Sequence, residues 1–434
     1  MNLLEQMTYN SSAGPFYEED DLSALAVVNP LVRLIAFYLP QFHSILENDV
    51  WWGKGFTEWT NVTKAVPRFD GYYQPRLPGE LGFYDLTRSE TLRRQAALGS
   101  RYGIAGFCFH HYWFGGHRLL EQPLELLLSN PDIEMPFCIN WANENWTRRW
   151  DGHDKSILMG QEHSADDDIA FARSLEPLFR DRRYIQVDGR PLLMLYRPGI
   201  LPDAALTVSR WREHFKTVGL GDPYIVMAQA FDDGDFLKYG MDGAVGFPPF
   251  WTGGSQLPDL ELFDPKYSGE VVSYESMAAR TTATYLQSTR VFPGVCPSWD
   301  NEARKPGKGF CFNGSTPALY GKWLGAACQA AIRVFPSDER LVFINAWNEW
   351  AEGAYLEPDR HFGYAYLAQT ARVLSGLSLV SPDQNDPTKP DSDLLQSMVV
   401  PRPSMRRRAR RAVRVLLNKA ATLADDIAWK LRSL

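Results

Sequence analysis

Glu349 and Glu352 stand three residues apart in the string Asn345-Ala346-Trp347-Asn348-Glu349-Trp350-Ala351-Glu352-Gly353. Breaking a glycosidic bond needs one carboxyl group to protonate the departing oxygen and another to act as base or nucleophile, with the two roughly 5 to 9 Å apart. Trp347 and Trp350 would shield the pair from water, and mutual repulsion would raise at least one pKa, so that one carboxyl keeps a proton near neutrality. Gly353 permits a tight turn that brings the second carboxyl back toward the first. An E-x-x-E spacing alone is usually a solvated helix face. Here it sits in an aromatic, Asn-containing turn directly behind an apolar run, which favours chemistry.

Other polar and aromatic residues follow similar runs. Tyr38 closes one, His110, His111 and Trp113 another, and Trp141, Asn143 and Glu144 a third, with Trp146, Arg148, Arg149, Trp150 and Asp151 beyond. Trp251 and Trp299-Asp300 follow two more, and Trp347, Asn348 and Trp350 surround the glutamates. Eleven of the fourteen Trp fall at or just after the end of such a run. Any single Trp there could simply cap a core. Taken together they suggest a cleft whose aromatic faces stack on sugar rings while Asn, His, Glu and Arg bind hydroxyls.

The elements that must position these residues have a clear rhythm. Short apolar runs begin at Val32, Ile104, Pro136, Pro191, Tyr224, Gly243, Pro293 and Leu341, and amphipathic segments at 87–101, 165–180, 204–217, 270–289 and 316–334 lie between them. Apolar strands alternating with helices indicate a parallel sheet covered on both faces. Eight such units predict an α/β fold of the (β/α)8 TIM-barrel type over residues 31–377, with the run ends gathered on one face. A doubly wound sheet is disfavoured because no Gly-rich phosphate loop follows a strand.

A length of 434 residues leaves room for extensions, and 45% hydrophobic with 22% charged residues is ordinary for a globular protein. The net charge of −7 argues against nucleic acid as a partner. The five cysteines include no C-x-x-C pair and read as reduced core thiols rather than metal ligands, so no metal or other cofactor is expected. Asp232, Asp233 and Asp235 read as loop. Residues 1–30 read as a loose acidic lead-in without a secretory signal, which points to a cytoplasmic protein. Residues 378–404 read as a Pro-rich linker. Residues 405–434 form a basic segment whose apolar side, if helical, would suit peripheral contact with an inner membrane or packing on the barrel itself.

The string from Trp347 to Pro358, WNEWAEGAYLEP, resembles the corresponding turn of glycoside hydrolase family 99, the barrel endo-α-mannosidases. AFYLPQFH from Ala36, WWGKGFTEWTNV from Trp51, GFCFHHYWF from Gly106 and INWANENWTRRWDG from Ile139 resemble more closely the WbsX-like proteins of bacterial O-antigen and surface-polysaccharide clusters. The resemblance implies that Glu349 takes the proton of the sugar's own 2-hydroxyl, giving a 1,2-anhydro intermediate, and that Glu352 is general acid and then base. It places Tyr38 as an aromatic hydroxyl and Asn348 as an amide in the site. His110, His111, Trp113, Trp141, Asn143, Glu144, Trp299, Trp347 and Trp350 are assigned to substrate binding by position alone, and Arg148 and Arg149 to an anionic sugar, a diphosphate or neighbouring acids. The expected activity is glycosyl transfer or trimming in surface-polysaccharide assembly, on a glycan, a lipid-linked oligosaccharide or a nucleotide sugar. The alternatives are an endo-α-mannosidase-type hydrolase and a non-catalytic glycan-binding barrel.

Overall fold

The computed structural model describes residues 1–21, 27, 29–148, 153–231, 234–249, 260–285 and 290–379. The linker and basic tail expected beyond residue 379 lie outside the described residues, as do Arg149, Trp150, Asp151, Asp232, Asp233 and Trp251.

Each apolar run of the sequence becomes a strand of one parallel sheet. The strands are β1 (Arg33–Tyr38), β2 (Ile104–Phe114), β3 (Phe137–Trp141), β4 (Arg190–Leu195), β5 (Tyr224–Gln229), β6 (Gly243–Gly246), β7 (Val291–Phe292 and Gly294–Val295) and β8 (Leu341–Ile344). They pair in sequence order, and β8 returns to β1 with Ala36 opposite Ile344. The ring is nearly closed at β7. Its first half pairs with β6 and its second half with β8, and Pro293, which has no N–H to give, separates them.

Helices surround the ring. Ser89–Arg101, Ala165–Phe179, Ala204–Thr217, Tyr274–Tyr285 and Pro317–Val334 match the amphipathic segments, and Gln122–Ser129 and Ala365–Leu379 complete the set. Their starts are written locally. Ser164, Asp203 and Thr316 each accept a backbone N–H from the third residue onward, satisfying donors that a helix leaves unpaired. Between β5 and β6 the crossover is reduced, among the described residues, to the single 3-10 turn Leu237–Tyr239.

The barrel's two faces follow the strand alternation. Phe37 points inward, its ring stacked on His110 at 5.8 Å and edge-on to Phe247. Tyr38 points outward, against Phe109 and toward Gln95 of the first outer helix. All five cysteines are buried and unbridged. No helix among the described residues is long and apolar enough to cross a membrane.

The N-terminal segment corrects the expectation of a loose lead-in. Leu3–Asn10 is a helix with an Asn2–Glu5 capping box. Its buried Asn10 donates to the carbonyls of Tyr72 and Gln74 at 2.8 and 2.7 Å. Polar anchors of this kind leave no hydrophobic period to read.

Candidate active site

The glutamate turn grows out of β8. Asn348–Glu349 pairs antiparallel with Ala354–Tyr355, and Trp350–Glu352 forms one 3-10 turn between them. Gly353 closes it at φ +60, and a Cβ there would come within 2.9 Å of Arg76 Cζ, so both the conformation and the close approach require glycine. Asn348 ties the turn to the end of β1 by accepting from Leu39 N–H at 2.7 Å and donating to Leu39 O at 3.0 Å. Trp350 stacks on Tyr355 with centroids 3.7 Å apart and donates to Glu357 at 2.6 Å. Glu357 also accepts from Gln95 at 2.6 Å and Tyr84 at 2.9 Å, so a buried carboxylate fixes the back of the turn. Burial pushes Glu357 up to about 7.

In front, both glutamates converge on one guanidinium. Arg304 donates from Nη2 to Glu349 at 3.1 Å, from Nη1 to Glu352, and from Nε to Glu58 at 2.9 Å. Arg304 follows β7 in a loop built on a small sheet of Glu270–Ser273, Phe310–Asn313 and Trp299–Asp300. Glu58 begins a short helix in the long loop after β1.

Three carboxyl groups around one cation, nearly out of water, cannot all ionise cheaply. Burial pushes Glu349 up to about 8; Arg304 opposes the shift, while Glu352 and Glu58 add to it. Glu352 is raised as well, again by burial first, against the pull of Arg304. The arrangement disfavours ionising both members of the pair at once. His110 Nε2 stands 4.0 Å from Glu349, and burial followed by the charge of Arg304 lowers its pKa to about 4, so it faces the pair as a neutral imidazole.

The pair opens into a cavity of about 740 Å³, within the usual range for ligand sites. Its walls include Gln41, Trp52, His110, Tyr112, Glu144, Trp146, Arg197, Trp299 and Lys305. Glu144 is held by Arg197 at 2.6 Å, and Arg197 lies over the Phe231 ring.

Of the residues the sequence singled out, Glu349, Glu352, His110, Glu144, Trp146 and Trp299 meet at this cavity. Tyr38, His111, Trp113, Trp141, Asn143, Trp347, Asn348 and Trp350 are placed elsewhere, off the wall they were expected to line. Tyr38 hydrogen-bonds Gln95 behind the barrel wall. His111 and Trp141 pair across β2 and β3, both facing Phe171 of an outer helix. Trp113 faces Phe171 too and donates to Asp167 at 2.8 Å. Trp347 faces Phe107, and Trp350 and Asn348 build the turn from behind. Asn143 exchanges two hydrogen bonds with the Arg197 backbone. Neighbours in a strand point to opposite sides, so each of these residues falls on the face away from the cavity or beyond the strand's end. Arg304 and Glu58 carry no local mark in the sequence beyond their position after β7 and β1.

The family model described as Glycosyltransferase WbsX matches residues 34–370. The relatives include a protein named uncharacterized protein WxcX from Xanthomonas campestris pv. campestris, 46% identical over 343 residues, which cover 79% of this chain and 49% of the relative. Its counterpart in a second strain gives the same figures. The chain thus spans about half the length of the curated relatives it matches. Among solved structures, a glycoside hydrolase-like protein is matched over 83% of this chain and 98% of its own, at 14% identity and a TM-score of 0.52. A GH99 endo-alpha-mannosidase from Bacteroides thetaiotaomicron is matched over 82% and 98%, at 14% identity and a TM-score of 0.51. At that identity the two structures share the barrel fold with this protein. The family match extends over more than three quarters of the chain, with the glutamate turn inside it, and the chain belongs to the Glycosyltransferase WbsX family.

Proposed function

We propose that the protein is an enzyme acting on glycosidic bonds, with Glu349 and Glu352 as its acid–base pair and hydrolysis of a glycan as its reaction. The observation that carries this reading is the convergence of both carboxyls on Arg304 at the cavity wall. Burial keeps one of them protonated, as a donor to a leaving oxygen must be.

In the proposed reaction the protonated carboxyl gives its proton to the departing oxygen as the C–O bond breaks. The ionised partner takes the proton of the sugar's 2-hydroxyl, whose oxygen bonds to the anomeric carbon. Water then attacks that carbon, its proton passes to the first carboxylate, and the 2-hydroxyl is restored, so configuration is retained. The family resemblance favours Glu352 as the proton donor and Glu349 as the base toward the 2-hydroxyl.

Transfer to a sugar acceptor is the second reading, favoured by the description of the family model as a glycosyltransferase. The two differ only in whether water or an acceptor hydroxyl meets the intermediate. A lipid-linked oligosaccharide or a nucleotide sugar would then be donor or acceptor.

Incubation with α-linked oligosaccharides and, separately, with nucleotide sugars, read by mass spectrometry, tests both. Shortened oligosaccharides support hydrolysis, and extended products support transfer. Glu349→Gln and Glu352→Gln should each abolish turnover while keeping the fold. An aryl glycoside, whose leaving group needs no proton, should restore activity only to the variant lacking the acid. Full activity in either variant would remove that residue from the mechanism.

A further inference from the structure

Among the described residues, Glu349 engages a partner through only one of its two carboxyl oxygens. Oε2 accepts from Arg304 at 3.1 Å, while Oε1 makes no hydrogen bond with a described residue. Opposite Oε1, at 4.0 Å, stands His110 Nε2, which likewise makes no hydrogen bond with a described residue. Both side chains line the cavity, and the His110 side chain is 10% exposed and that of Glu349 8%. Unlike the enclosed Trp299 Nε1 on the same wall, neither atom is shut off from solvent.

The imidazole is fixed from behind. Asn140 is fully buried and pairs with His110 across β2 and β3, its Nδ2 standing 3.3 Å from His110 Nδ1. An amide N–H there needs an acceptor, so Nδ1 offers its lone pair and the proton of the neutral ring sits on Nε2. The ring also stacks on Phe37, with centroids 5.8 Å apart. Burial, and then the charge of Arg304, keep it neutral.

A gap of 4.0 Å is too wide for a direct hydrogen bond. It suits one oxygen placed about 2.8 Å from each side. A hydroxyl fits that place, because its oxygen can give a proton to one neighbour and accept from the other. We propose that His110 Nε2 and Glu349 Oε1 hold one sugar hydroxyl between them, the 2-hydroxyl of the reacting sugar, with the imidazole donating and the carboxylate accepting. The inference rests on the glycan-processing reading above and adds to it a catalytic residue from β2.

When Glu349 takes the proton of that hydroxyl, the oxygen keeps its hydrogen bond from Nε2–H. The donor stabilises the negative charge until the oxygen bonds to the anomeric carbon. No proton leaves the imidazole. Glu349 carries the proton of the hydroxyl, and the departing oxygen takes that of Glu352.

Calorimetric titration of the full chain tests it, using the methyl α-glycosides of glucose, mannose and galactose beside their 2-deoxy twins. For at least one sugar the wild type should prefer the 2-hydroxyl form. His110→Phe, which keeps a ring and loses the donor, should reduce that preference about fivefold, the value of one hydrogen bond. His110→Gln, whose amide can still donate, should keep most of it. Nitrogen-15 spectra of the histidine-labelled protein, with His110→Gln to identify the signal, should show His110 neutral at pH 7 with its proton on Nε2. That measurement stands even where His110→Phe fails to fold.

A proton on Nδ1 would make Nε2 an acceptor and overturn the proposal. So would a wild type indifferent to the 2-hydroxyl, or a His110→Phe that binds both twins more weakly by the same factor; each leaves the glycan reading standing. Binding of none of these sugars would overturn both.

Discussion

Glu58 and Arg304 lie 246 residues apart in sequence and meet at 2.9 Å, with Glu58 fully buried. Through Arg304 the loop after β1 reaches the glutamate turn after β8, so the guanidinium sets where both carboxyls stand. Arg304→Met would leave three buried carboxyls without their cation, and removing one partner of a buried pair costs about 3–5 kcal/mol. Arg304→Lys keeps the charge but loses the fork that serves three carboxyls at once. It should fold with a lowered Tm and lose turnover on the order of 100-fold through misplacement of the pair. Wild-type kcat in Arg304→Lys would show that the fork does not position the pair.

The raised pKa of Glu349 makes two pH predictions. The folded protein holds this proton up to about pH 8, whereas an unfolded glutamate releases it near pH 4.3. Over that window the native state binds more protons, so the contribution of Glu349 to stability falls as pH rises. A series of Tm measurements from pH 5 to 8 should show wild type losing ground to Glu349→Gln, approaching about 1.4 kcal/mol per pH unit. The turnover rate should fall through the same upper limit near pH 8 as the pair loses its shared proton. Parallel Tm curves for the two proteins would show that Glu349 has no raised pKa.

Tyr38 separates position from resemblance. Its hydroxyl donates to Gln95 at 2.7 Å outside the barrel wall. Tyr38→Phe should therefore cost about 1 kcal/mol in a denaturant titration and leave kcat/KM within a factor of about two. A large loss of kcat/KM in a normally folded variant would return Tyr38 to the site.

Gly353→Ala forces a side chain into a left-handed conformation 2.9 Å from Arg76 Cζ and 3.0 Å from Asp300 Cβ. Strain of that kind costs on the order of 1–3 kcal/mol, and the turn should relieve it by shifting Glu352. Lower Tm together with lower kcat is the expected result, and a loss of stability alone would show the turn to be stiffer than this account allows.

Residues 405–434 lie outside the described residues, and their contact with an anionic membrane surface stands as our proposal from charge and pattern. Liposome co-sedimentation should pellet the full chain and spare a form lacking them. Equal pelleting would dismiss it.

The fold was legible because parallel strands buried on both faces are written as continuous apolar runs, and each run from Val32 to Leu341 became a barrel strand. The glutamate turn was legible because its residue types are dense and local. Which tryptophans face the cavity was not. A buried strand carries apolar residues on both sides, so its pattern holds no mark of inside and outside, and Trp141 and Trp347 went to the helix layer while Trp299 reached the cavity. Arg304 was hidden for another reason. Its meaning lies in partners from distant loops, and no local spacing encodes them.

The ties that hold the turn span most of the polypeptide: Leu39 to Asn348 across 309 residues, Tyr84 to Glu357 across 273 and Gln95 to Glu357 across 262. Contacts so remote in sequence form late, because the loops they close must first lose their freedom. A nascent chain leaving the ribosome would thus carry its first half-barrel with no reactive centre in it. Competence arrives only when the eighth strand docks beside the first, so the finished ring acts as its own licence to react.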